Sequence, residues 1–106
     1  MIIELNTDSC IDFLKSTDCI IIDVRSKHEF SQFRLPNALH LDLMDSNWME
    51  KINELDKSQL YLVYCTLGVR SKSAVKLMDQ LGFSSIYHLI GGILNYSGKI
   101  EELLIA

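Results

Sequence analysis

The chain has 106 residues, 48% of them hydrophobic and 23% charged, which is enough for one core and too few for two, so a single domain over residues 1–106 is expected. A net charge of −4 with no Lys/Arg cluster argues against nucleic acid as a partner, yet a local cradle of amides can still hold a small anion in an acidic protein. Three cysteines without a C-x-x-C pair fit neither a disulfide framework nor a zinc site, and no apolar run approaches the ~20 residues of a membrane helix, so a reduced, cytoplasmic setting is expected. The amino terminus, MIIELNTDSC, lacks the basic start and apolar core of a secretory signal.

Strands and helices alternate along the chain. MIIEL opens as a short strand, and a helix follows from Thr7 to Lys15, capped by Thr7 or Asp8, with Cys10, Phe13 and Leu14 on one face. Cys19 to Val24 is a continuous β-branched run, the pattern of a strand buried on both faces. Ser26 and Glu29 form a capping box for a short helix with Phe30 and Phe33 on one side, ended by Pro36. Ala38 to Leu41 reads as a short strand. Asn47 and Glu50 mark the start of a helix carrying Trp48, Ile52 and Leu55. Gln59 to Tyr64 is a second fully apolar strand. Ser71 to Leu81 is a helix with Ala74, Leu77, Met78 and Leu81 as its stripe and Gly82 as its C-terminal cap. Ser85 to Leu89 is a further strand, Gly91-Gly92 break the chain, and Asn95 to Ala106 is expected to be partly helical.

Apolar strands alternating with amphipathic helices imply an α/β fold with a parallel sheet covered on both faces. Ligands in such sheets bind beyond the carboxyl ends of the strands. Two places qualify: Asp23 to Arg25, and Cys65 to Arg70. The second, Cys65-Thr66-Leu67-Gly68-Val69-Arg70, joins a strand end to a helix start. The first amides of a helix lack internal partners, and the helix dipole adds positive potential there. Gly68 gives the loop freedom to curl and aim further amides inward. A cysteine facing such a nest has a lowered pKa. Arg70 adds a donor fork for an oxyanion, and Ser71 either donates a hydroxyl to the sulfur or caps the helix. Together these parts make an activated sulfur nucleophile beside an anion site, with Thr66, Leu67, Gly68, Val69, Arg70 and Ser71 as the anion-binding residues. Cys10, on a helical face, and Cys19, at the start of a core strand, read as inert buried thiols. Asp23 and Arg25 read first as a structural ion pair and second as orienting the loop or substrate. Glu29 is accounted for by its capping box. Nothing in the sequence sets His28, His40 or His88 beside Cys65. Arg34, near Pro36, reads first as a solvated charge and second as lining the pocket mouth, and Trp48 reads as core.

The segment YCTLGVRS resembles the active-site loop of rhodanese-family sulfurtransferases, with its Cys-x-x-Gly-x-Arg pattern. IIDVRSKHEF resembles the family's upstream Asp-Val-Arg signature with its Glu-aromatic pair. LPNALHL and LGFSSIYHLIGGI are similar to the segments that follow, in the right order, over about residues 19 to 96. Phe33 and Arg34 stand where the family often has Gly-His, Asn37 where Gly is common, and Tyr96 where Trp is usual. The resemblance implies a rhodanese-like fold with a five-stranded parallel sheet. It also implies a double displacement: Cys65 thiolate takes the outer sulfur of a donor such as thiosulfate, expels sulfite, and hands the sulfur from a persulfide to cyanide or a cellular thiol, including one on a protein. It calls for no metal and no organic cofactor.

Three other functions compete: a protein-to-protein persulfide carrier, a phosphatase or arsenate reductase, and a non-catalytic binding module. Phosphatase-like members of the family have five residues between Cys and Arg, and this chain has four. The missing residue removes up to ~3.5 Å of contour, leaving a nest sized for one sulfur rather than a whole phosphate. Inactive relatives typically lose the cysteine, which is present here.

Overall fold

The computed structural model describes residues 1–103. Its elements in chain order are β1 (Ile2–Leu5), α1 (Thr7–Ser16), β2 (Ile20–Asp23), α2 (Lys27–Gln32), β3 (Phe33–Arg34), β4 (Leu39–His40), α3 (Trp48–Asn53), β5 (Leu60–Tyr64), α4 (Val69–Gln80), β6 (Ser85–Leu89), a 3-10 turn (Ile93–Asn95) and β7 (Glu101–Glu102). Five strands form a parallel sheet in the order β1-β6-β5-β2-β4. This is the α/β architecture expected from the alternation. Among the described residues, no helix is long and apolar enough to cross a membrane.

The two uninterrupted apolar runs are the central strands. Consecutive side chains of β5 point to opposite faces and both faces are covered, so Tyr61 to Tyr64 are all fully buried. On one face Tyr61, Val63, Ile22 and Ile86 pack with Trp48 and Ile52 of α3 and with Ala74, Val75 and Met78 of α4. On the other, Leu62, Tyr64 and Leu89 pack with Cys10, Phe13 and Leu14 of α1 and with Leu35 and Ile93. The alternation continues one step past β5: Tyr64 belongs to the α1 face and Cys65 to the α4 face.

Several boundaries differ from the sequence reading. Asn6, not Thr7 or Asp8, caps α1; its side chain accepts from the Ser9 amide at 2.9 Å. Asn47 precedes α3 but makes no side-chain cap. Helix α2 ends at Gln32, short of Pro36, and Phe33 is extended (φ −159°, ψ 152°). Its carbonyl then accepts from the buried Arg25 guanidinium, and its ring lies 5.1 Å below Arg25 Cζ. That contact outcompetes another helical turn. Arg34 is not a free solvated charge either, since its guanidinium sits 4.4 Å over the Phe30 ring. Asn37 has φ 62°, a left-handed position that Gly or Asn tolerates best. After the 3-10 turn the tail forms β7, antiparallel to β3, instead of a longer helix. Leu104 to Ala106 lie outside the described residues.

Candidate active site

Cys65 follows β5 at the carboxyl edge of the sheet and is 1% exposed. Helix α4 starts two residues earlier than its apolar stripe implies, with Gly68 as its N-terminal flanking residue at φ 95°. This left-handed step turns the chain so that amides face back onto the sulfur. Gly68 N–H donates to Cys65 Sγ at 3.1 Å and Ser71 N–H at 3.3 Å, while Ser71 Oγ lies 3.2 Å from the sulfur. Burial pushes the thiol pKa up. The Ser71 hydroxyl and the Ser71, Gly68 and Leu67 amides outweigh it and bring Cys65 below its ordinary value. Of the loop residues read from the sequence as anion-binding, Gly68 and Ser71 turn hydrogen-bonding groups onto the sulfur.

The loop is braced from behind by the Gly91-Gly92 turn. Ile93 N–H donates to the Cys65 carbonyl at 2.9 Å and Leu94 N–H to the Thr66 carbonyl at 3.1 Å. Gly92 has φ 71°, and a Cβ there would lie 2.2 Å from the Thr66 carbonyl oxygen. No side chain fits between the two segments. From sequence these glycines read as a chain break and as part of the segment similar to the family's closing one; in the structure they lie behind the Cys65 loop.

Arg70 projects from the first turn of α4, but Glu29 holds it. Arg70 Nη1 and Nη2 donate to the two Glu29 carboxylate oxygens at 2.7 and 2.8 Å, and Thr66 Oγ1 donates to Glu29 Oε2 at 2.7 Å. Glu29 also closes the capping box, accepting from Ser26 N–H and Ser26 Oγ at 3.1 and 2.9 Å. Arg70 first, then Thr66 and Ser26, hold its carboxyl well below the usual range against the opposing effect of burial. The capping role was legible in the S-x-x-E spacing. The second role was not, because it spans 41 residues of sequence. Glu29, Cys65, Thr66, Leu67, Val69 and Arg70 line a pocket of about 210 Å³. Leu67 and Val69 point outward at its rim, 57% and 74% exposed.

Asp23 and Arg25 are both fully buried and form a clamp of their own. Arg25 N–H donates to Asp23 Oδ1 at 2.8 Å and Arg25 Nη2 to Asp23 Oδ2 at 2.9 Å. Tyr64 O–H donates to Asp23 Oδ2 and accepts from Leu35 N–H at 3.0 Å. Among the described residues, no hydrogen bond of either side chain reaches residues 65–71. The structural reading of this pair holds; it fixes the neighbouring strand ends on the α1 face.

One histidine does approach the site. His88 Nε2 lies 2.7 Å from Ser71 Oγ, one hydroxyl away from Cys65 Sγ. The available signal was a polar residue inside the buried strand β6, on the same face as Ile86. Cys10 and Cys19 lie on the opposite face, where burial pushes their thiols up to about 12 and about 11.

The rhodanese-like domain family model matches residues 6–99. The chain belongs to the rhodanese-like domain family. A thiosulfate sulfurtransferase GlpE of Coxiella burnetii is 35% identical over 81 residues, covering 76% of this chain and 74% of that protein. A tRNA uridine(34) hydroxylase of Wolbachia pipientis is 36% identical over 92 residues, covering 83% of this chain but 33% of the relative, so this chain spans about a third of that protein's length. The crystal structure of a rhodanese-related protein from Thermoplasma volcanium superposes with a TM-score of 0.82 at 26% identity, covering 96% of this chain and 99% of that one. The rhodanese-like fold expected from the sequence is the one observed.

Proposed function

We propose that this chain is a sulfurtransferase that carries a sulfane sulfur on Cys65. The observation that carries the reading is the convergence of the Gly68 amide, the Ser71 amide and the Ser71 hydroxyl on one sulfur atom. Such a nest stabilises a thiolate for attack and afterwards the anionic outer sulfur of a persulfide. The match to GlpE over about three quarters of that protein supports the same reaction class. In the first half-reaction Cys65 S⁻ attacks the outer sulfur of thiosulfate and the S–S bond to sulfite breaks. In the second, an acceptor thiolate or cyanide attacks the outer sulfur of the persulfide and Cys65 leaves as thiolate. Four residues separate Cys65 from Arg70, and the resulting nest closes on Sγ itself, which supports sulfur over phosphate as cargo.

Glu29 favours a second reading of the donor. With its charge balanced by a carboxylate at the pocket wall, Arg70 attracts a dianion less than an unpaired guanidinium does. A persulfide donor of lower charge, in keeping with a protein-to-protein carrier, meets less repulsion, and the exposed apolar rim of Leu67 and Val69 suits a bulky partner. Steady-state transfer with thiosulfate and with a small-molecule persulfide, each with cyanide or a thiol as acceptor, tests both readings. Transfer from either donor supports the function, the better donor identifies the reading, and hydrolysis of aryl phosphates with no sulfur transfer would overturn it.

A further inference from the structure

Cys65 is 1% exposed and lines the pocket on one side; on the other, its sulfur meets a buried polar group, the Ser71 hydroxyl. A polar path leads away from it through the interior. Cys65 Sγ lies 3.2 Å from Ser71 Oγ, Ser71 Oγ 2.7 Å from His88 Nε2, and His88 Nδ1 3.8 Å from Glu4 Oε2. The first three groups are buried, whereas Glu4 is 62% exposed. Secondary structure fixes the path: Ser71 is on the first turn of α4, His88 on β6, and Glu4 on β1 in direct register with His88. The path therefore crosses from the loop to the far edge of the sheet.

We infer that Ser71 and His88 form a proton relay serving Cys65, with His88 as a positioning residue that acts through Ser71 and never touches the transferred sulfur. The inference rests on Cys65 being the reacting sulfur, but not on the identity of the donor. In the thiol state Cys65 S–H donates to Ser71 Oγ, Ser71 O–H donates to His88 Nε2, and His88 carries its proton on Nδ1, facing Glu4. On ionisation the S–H bond breaks and its electron pair stays on sulfur. Ser71 Oγ takes that proton and passes its own to Nε2. The Nδ1 proton leaves to water at the Glu4 end. His88 finishes neutral as the other tautomer, with Nε2–H donating to Ser71 and Ser71 O–H donating to the thiolate. No group changes oxidation state, and Ser71 Oγ keeps Cys65 Sγ on one side and His88 Nε2 on the other throughout. The same path in reverse reprotonates Cys65 after the sulfur has left.

The surroundings of His88 suit a relay that passes through neutral imidazole. Burial holds its pKa below the ordinary value and Lys72 of α4 adds to that, while Glu4 opposes both. A histidine kept as a stable cation would block the acceptor nitrogen that the relay needs.

The test is the pH profile of Cys65 alkylation by iodoacetamide, with the modified residue identified by mass spectrometry and the fold checked by thermal melting. His88→Gln keeps a donor but cannot exchange tautomers. Its profile should move to higher pH, and its rate near neutrality should fall roughly two- to tenfold, the scale of one hydrogen bond between neutral groups. Ser71→Thr keeps the hydroxyl and should restore a nearly wild-type profile, whereas Ser71→Ala should not. A folded His88→Gln protein with an unmoved profile overturns the relay. Should His88→Gln fail to fold, ring ¹⁵N NMR of the unmodified chain decides. The His88 nitrogens should inflect at the pH where Cys65 ionises and lose that inflection once Cys65 is alkylated. A His88 titration indifferent to Cys65 alkylation overturns the relay. None of these readouts needs a sulfur donor, so a failed relay and a failed sulfurtransferase reading give different results.

Discussion

Cys10 and Cys65 are equally hidden, at 0% and 1% exposed, yet burial has opposite outcomes for them. Cys10 sits among Leu62, Leu89 and Ile93 on the α1 face, and its thiol is pushed up to about 12. Cys65 pays the same desolvation but receives two N–H groups and lies against one hydroxyl, and its pKa falls. The comparison separates hiding a sulfur from stabilising its anion. The same lesson applies to the arginines. Arg25 is locked against Asp23 with both side chains fully buried; Arg70 meets Glu29 at a partly exposed wall of the pocket that Cys65 also lines.

The sharpest way to break the cysteine comparison is substitution. Cys65→Ser should abolish sulfur transfer, while Cys10→Ser and Cys19→Ser should retain it if folded. Substantial turnover by Cys65→Ser would sink the assignment. Next in size is Gly92→Ala. The new Cβ would lie 2.2 Å from the Thr66 carbonyl oxygen, so the loop or the turn must move. The expected cost is about 2–4 kcal/mol in urea unfolding, with transfer reduced more than the fold. An unchanged stability would mean that the turn does not brace the loop.

The arginine comparison gives smaller effects. Arg70→Ala should lower kcat/KM for thiosulfate by roughly ten- to a hundredfold, while leaving cyanide removal of sulfur from preformed persulfide less affected. Glu29→Gln retains the capping geometry but frees Arg70, so it should raise thiosulfate use relative to a less charged persulfide donor; an unchanged ratio argues that Glu29 does not set donor charge. The smallest effect is on stability. Arg70 depresses the Glu29 pKa in the fold, so the stabilisation is present above the unfolded carboxylate value of ~4.3 and is lost as pH falls through the lower native value. Because the pair is partly exposed, about 1 kcal/mol is expected, seen as a gap between wild type and Glu29→Gln that closes on acidification.

Local signals were readable in the sequence. The runs Cys19–Val24 and Gln59–Tyr64 announced doubly covered strands, and Gly68 between Cys65 and Ser71 announced a loop curled onto a sulfur. What escaped depended on tertiary neighbours. Glu29 already had a sufficient local explanation in Ser26, which concealed its bond to Arg70. His88 reaches the site only because β6 lies beside β5 and α4 packs over both. Phe33 left its helix for a contact with Arg25 that no periodicity encodes. The tail pairs with β3, whose edge exists only once Phe33 has become extended.

The most direct test of sulfur transfer through Cys65 is intact-protein mass spectrometry after exposure to thiosulfate or a persulfide, with peptide mapping. The expected result is a gain of one sulfur atom, located on Cys65 and removed by cyanide. A chain that gains no sulfur from either donor, or gains it on Cys10 or Cys19, would contradict the assignment.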